Sequence, residues 1–166
     1  QEDEEFQHVV DKLESGNQQL LNFLKENYNQ VTLSLETNYK GIQDTAQKRL
    51  EYASFVEKEY ITYFTTIVSK INDEEQSREL MLQINRFDYL FQIHDSIIDL
   101  FESKRIMNEQ FIELESDILI MIRELSSDTL TLFTHTSENL EQPKNDEIDK
   151  AARSLQLHLN QAQRKL

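Results

Sequence analysis

The sequence has no cysteine, one proline (Pro143) and only two glycines (Gly16 and Gly41) in 166 residues. Without cysteine there is neither a disulfide framework nor a thiolate metal site, which fits a reducing compartment. Two glycines cannot build a phosphate-cradling loop. The chain also has no Walker loop, dinucleotide fingerprint or Gly-x-Ser-x-Gly elbow, which removes phosphate transfer from the candidate reactions. Basic side chains are scarce too, 17 against 31 acidic ones, for a formal charge of −14. That charge repels a nucleic-acid backbone and disfavours an anionic lipid surface, so neither is an expected partner. No run approaches the roughly 18 apolar residues of a spanning helix, so no direct membrane insertion is expected. The start, Gln1-Glu2-Asp3-Glu4-Glu5, is the reverse of a basic signal-peptide opening, and no Asn-x-Ser/Thr acceptor occurs.

What is present is helix-forming: Leu, Glu, Gln and Ile are the commonest residues, and breakers are nearly absent. At this length one domain with one continuous core is the expectation. Apolar residues recurring at three- and four-residue spacing predict an all-α, antiparallel up-down bundle of about five long helices. The first spans about 4–38, with Leu13, Leu20, Leu24, Val31 and Leu35 on one stripe; Ser15-Gly16-Asn17 predicts a bend there or a later start. Gly41 reads as a C-cap or short connection. A second stripe runs from Ile42 through Leu50, Val56, Tyr60 and Phe64 to Ile71. Asn72-Asp73-Glu74-Glu75 supplies a turn, an N-cap and acids for the positive end of the third helix. That helix buries Leu80, Ile84, Phe87, Phe91, His94, Ile98 and Phe101, with the His94 ring half-buried.

The pattern slips over 104–108, and a fourth helix is expected from about Glu109 with Phe111, Leu114, Ile118, Met121 and Leu125 on its stripe. The Ser- and Thr-rich stretch 126–139 is expected to fray or kink. Gln142-Pro143-Lys144 marks a loop, and a fifth helix carries Ile148, Leu155 and Leu159. It runs to Leu166 without a cap, which suggests continuation in a longer protein.

One constellation stands out on the third helix. Asp95, Asp99 and Glu102 are spaced four and three apart and share a face, with Asp88 and His94 close by. In an acidic chain such a stripe is ordinarily solvated surface. Its mutual repulsion would also be relieved by a cation or a basic partner. Glu5 and His8 form a lone Glu-x-x-His pair; a di-iron bundle needs a second, which the chain lacks. Tyr63 and Tyr89 fall off the apolar stripes and read as exposed contacts for a partner.

The stretch from Leu90 to Glu102, with Leu90, Ile93, Asp95, Asp99 and Glu102 in register, resembles the third-helix signature of PhoU-like domains. Glu57 and Glu59 stand where that family carries an acidic pair on the second helix, and Asp146-Glu147-Ile148-Asp149 looks like the same acidic element in a second repeat. The chain departs from the family at Phe91, Gln92 and His94, where the pattern has glutamate, arginine and glycine. The resemblance implies a single domain over 1–166: a three-helix unit over 1–106 and two helices of an incomplete second unit over 107–166. It further implies a non-catalytic regulator of phosphate transport, attached to a bacterial sodium/phosphate cotransporter on the cytoplasmic side of the inner membrane. Its partner would be the transmembrane transporter portion or a signalling protein, with a homodimer left open. Glu57 and Glu59 would join Asp95, Asp99 and Glu102 across the interhelical groove to hold a divalent or iron cation. The alternative reading is a helical sensory or protein-interaction module unrelated to phosphate.

Overall fold

A computed structural model describes residues 2–138 and 146–165 of the chain. Every regular element among them is helical: α1 (Glu2–Glu36), α2 (Lys40–Val68), α3 (Glu74–Glu109), α4 (Ser116–Glu138) and α5 (Asp146–Lys165). The expected loop around Pro143 lies outside the described residues.

Helix α1 is the hub, packing against α2, α3 and α4, while α2 and α3 also pack on each other. Contacts run in opposite sequence directions along α1 and α2, where Arg49 meets Asn27, Tyr52 meets Phe23 and Tyr60 meets Gly16. Along α1 and α3 they run in the same direction, from Asn17 with Gln83 to Leu35 with Lys104. Leu13, Leu20, Leu24 and Val31 of α1 form the core with Leu50 and Phe64 of α2 and with Leu80, Phe87 and Phe91 of α3.

α1 runs through Gly16 without a break, and the hydroxyl of Tyr60 occupies the space a side chain at 16 would fill. Gly41 is not a C-cap. The connection is 37–39, and Gly41 sits in the first turn of α2 with no left-handed backbone, beside the Tyr39 ring. Asp73 caps α3 as expected, its side chain accepting from the Gln76 backbone N–H at 2.9 Å.

α3 does not break at 104–108. Lys104 occupies a core position and donates to the Leu35 carbonyl (3.5 Å) and Asn38 Oδ1 (3.2 Å), a cation closing the negative end of α1. The stop comes later, at a left-handed residue, Phe111 (φ 55°), with the Ile112 N–H bonded to the Met107 carbonyl at 2.9 Å. Phe111 thus takes the place usually given to glycine. It is 92% exposed rather than part of a fourth-helix stripe, and α4 starts at Ser116.

α4 continues through its threonines to Glu138, with Thr129, Thr131 and Thr134 each donating to the carbonyl four residues back. Packing overrides their poor propensity. Phe133 is buried against Tyr28, Lys25 donates to Thr134 Oγ1 at 2.6 Å, and Arg123 pairs with Glu36 at 2.8 Å. Among the described residues α5 packs only on α4, tied by Asp128, which accepts from Ser154 Oγ at 3.2 Å and contacts His158 Nδ1.

Candidate functional site

The α2/α3 groove gathers ionisable side chains from both helices. Its floor is the contact between Ser54 and His94. Their Oγ and Nε2 atoms share a hydrogen bond of 2.9 Å, and His94 is 0% exposed with no hydrogen-bond partner on Nδ1. The ring is therefore fully enclosed rather than half-buried. A position on the apolar stripe of α3 explains that, since the same spacing buries Phe87, Phe91 and Ile97.

Burial holds the His94 pKa below its ordinary value, with Asp95 pulling the other way. The unfolded chain takes up this proton near pH 6.5 and the folded chain only at lower pH. Below that point the unfolded state binds more protons, so the contribution is intact at neutral pH and is lost as pH falls. We expect the stability difference between the parent and His94→Gln to shrink on titration from about pH 7.5 to pH 5. Urea unfolding at each pH measures it, and a difference constant across that range would remove His94 as the titrating group.

Above this floor stand the carboxylates. Burial pushes the Glu57 pKa upward, and the charges of Asp95 and Asp88 add to the rise against the pull of Lys58. Glu57 therefore lies within electrostatic range of Asp88 and Asp95 of α3. Glu102 is engaged otherwise, accepting from Arg105 Nε at 2.8 Å, while Arg105 also contacts Glu109. Asp99 is exposed, and the same groove farther along is lined by Glu51, Ser54, Phe55, Lys58, Phe101 and Arg105.

The five residues expected to hold a cation are therefore not brought together. Glu57 and Glu59 are two positions apart, roughly 200° around a helix, and cannot share a face. Glu59 lies across α2, in the α1/α2 groove with Leu20, Phe23, Tyr52 and Tyr60. Asp95 pairs with Glu57 in position, Glu102 is neutralised by Arg105, and Asp99 faces solvent. Among the described residues, no three His, Asp or Glu side chains are arranged to hold a metal ion.

Three side chains that matter here escaped the sequence reading: Ser54, Gln83 and Lys104. Gln83 accepts from Asn17 at 3.0 Å and donates to Glu14 at 3.3 Å, joining α1 to α3 inside the core. A signal exists for two of them. Gln83 lies three after Leu80 and four before Phe87, and Lys104 seven after Ile97, so both hold core register. A polar residue in apolar register reads as a gap until its partner on another helix is known.

Comparison with protein-family models, curated proteins and solved structures returned no match to this chain. No helix of the described residues is long and apolar enough to cross a membrane.

Proposed function

We propose that this chain is a non-catalytic regulatory module of the PhoU-like kind, an antiparallel up-down bundle acting through its helix faces on a sodium/phosphate cotransporter. Its place would be the cytoplasmic side of a bacterial inner membrane. The observation that carries a helix-face mode of action is the set of large apolar side chains left on outer surfaces: Tyr52, Phe55 and Ile61 on α2, and Leu82 and Tyr89 on α3. A contiguous exposed apolar patch marks a docking face, and the rings of Tyr52 and Phe55 lie side by side at 6.4 Å. Support for a non-catalytic reading comes from the Ser54–His94 contact. Ser54 lies mid-helix, where backbone N–H groups are already bonded to carbonyls four residues back and none is left to stabilise an oxyanion. The phosphate assignment rests on the third-helix signature from Leu90 to Glu102, whose Asp95 and Asp99 face solvent.

Sodium-dependent phosphate uptake by cells making the full-length gene product, with and without residues 1–166, tests the assignment. Uptake that changes at equal protein level supports it. Unchanged uptake overturns it and favours a sensory or interaction module unrelated to phosphate.

A further inference from the structure

Among the described residues helix α2 packs only on α1 and α3, which leaves one of its faces without a partner. Along that face, at the outer edge of the α1/α2 groove that Tyr52, Phe55 and Glu59 also line, positions 48, 52, 55 and 59 follow the four-three-four spacing of a single helical stripe. They hold Lys48, Tyr52, Phe55 and Glu59, all exposed, with both aromatic rings 57% accessible. The two rings lie 6.4 Å apart, and Tyr52 is held edge-on against Phe23 of α1 at 5.5 Å, so the aromatic pair is presented on a braced platform.

The order basic, aromatic, aromatic, acidic complements itself when reversed. Two antiparallel copies of α2 related by a twofold axis between positions 53 and 54 would set Lys48 opposite the partner's Glu59 and Tyr52 opposite the partner's Phe55. By the same symmetry Phe55 meets the partner's Tyr52, and Glu59 the partner's Lys48. No like charges are opposed along the stripe.

Charge also favours this helix over the two it packs against. The chain carries −14, which discourages self-association through most faces. α1 has eight acidic against two basic side chains and α3 eight against four, whereas α2 has four of each. A second copy can approach α2 without the repulsion it meets at its neighbours.

We infer that the outer face of α2 is an isologous interface at which two copies of this chain pair antiparallel, through Tyr52 and Phe55 at the centre and Lys48 and Glu59 at the ends. A single helix pair buries on the order of 1,000 Å², at the low end of specific interfaces, which corresponds to association on the order of micromolar.

Sedimentation equilibrium of the chain at increasing concentration reads this directly. The parent is expected to dimerise, and Tyr52→Ala/Phe55→Ala to remain monomeric with an unchanged far-UV circular dichroism spectrum. Lys48→Glu and Glu59→Lys each set like charges opposite one another at both ends and should weaken the dimer about tenfold or more. An equimolar mixture of those two single variants should dimerise again, because the glutamate introduced in one chain then faces the lysine introduced in the other, and the unchanged Glu59 of the first faces the unchanged Lys48 of the second. A parent monomeric up to about 300 µM overturns the interface. So does a dimer indifferent to these substitutions, which would place the contact on another face.

Discussion

Phe87→Ala should lower the unfolding free energy by about 3 to 5 kcal/mol, the usual cost of emptying a buried phenyl site. Phe87 is 0% exposed and stacks its ring 4.3 Å from Tyr60, 5.2 Å from Phe64 and 6.1 Å from Phe91. It also reaches α1, lying 3.4 Å from where a Cβ on Gly16 would stand. Three helices therefore meet at one ring, and truncation leaves a cavity that none can fill alone. Against a typical total of about 5 to 15 kcal/mol the loss is severe. Urea denaturation followed by circular dichroism measures it, with Ile120→Ala as the exposed control, expected within about 0.5 kcal/mol of the parent. A loss below about 1 kcal/mol would mean that the three-helix contact at Phe87 does not carry the fold.

Gly16→Ala sets two effects against each other. Alanine favours the interior of α1 by about 1 kcal/mol over glycine. Its methyl group, however, would collide with the Tyr60 hydroxyl, and the Tyr60 ring is held by Phe64, Phe87 and Phe91 and cannot swing aside freely. Overpacking of this kind costs about 1 to 3 kcal/mol, so the net result should be destabilising. Removing the obstacle reverses the sign. In a Tyr60→Phe background the nearest atoms are ring carbons at 3.4 Å, and the same substitution should be neutral or stabilising by up to about 1 kcal/mol. A double-mutant cycle isolates the coupling; additive effects would show that Tyr60 is not what excludes a side chain at 16.

Much of the architecture is legible in the sequence because helices advertise themselves locally. The stripe through Leu13, Leu20, Leu24 and Val31 and the Asp73 cap depend on neighbours within a turn or two, and both are found as expected. Where sequence and structure part, the cause is mostly distance along the chain. Lys104 reads as a lapse in the pattern because its partners, Leu35 and Asn38, are nearly seventy residues away. The threonines of α4 suggest fraying because the burial of Phe133 against Tyr28 cannot be seen from α4 alone. The five carboxylates stand apart for another reason: Asp95, Asp99 and Glu102 share a face by their spacing, but Glu57 and Glu59 stand on different sides of α2, a constraint already present in theirs.

By itself the sequence determined the class of the molecule: helical, because breakers are scarce and apolar residues recur at helical spacing, and repelling to polyanions, because 31 acidic side chains outnumber 17 basic ones. Having no cysteine and only two glycines, it holds no disulfide, no thiolate and no glycine-rich loop. Tertiary structure decided the rest. It enclosed His94 against Ser54, gave Lys104 to the end of α1, made Gly16 the slot for the Tyr60 hydroxyl and left Tyr52 and Phe55 facing water. Periodicity is a property of neighbours along the chain, whereas which polar group is sheltered and which apolar one is left exposed depends on what another helix places opposite it.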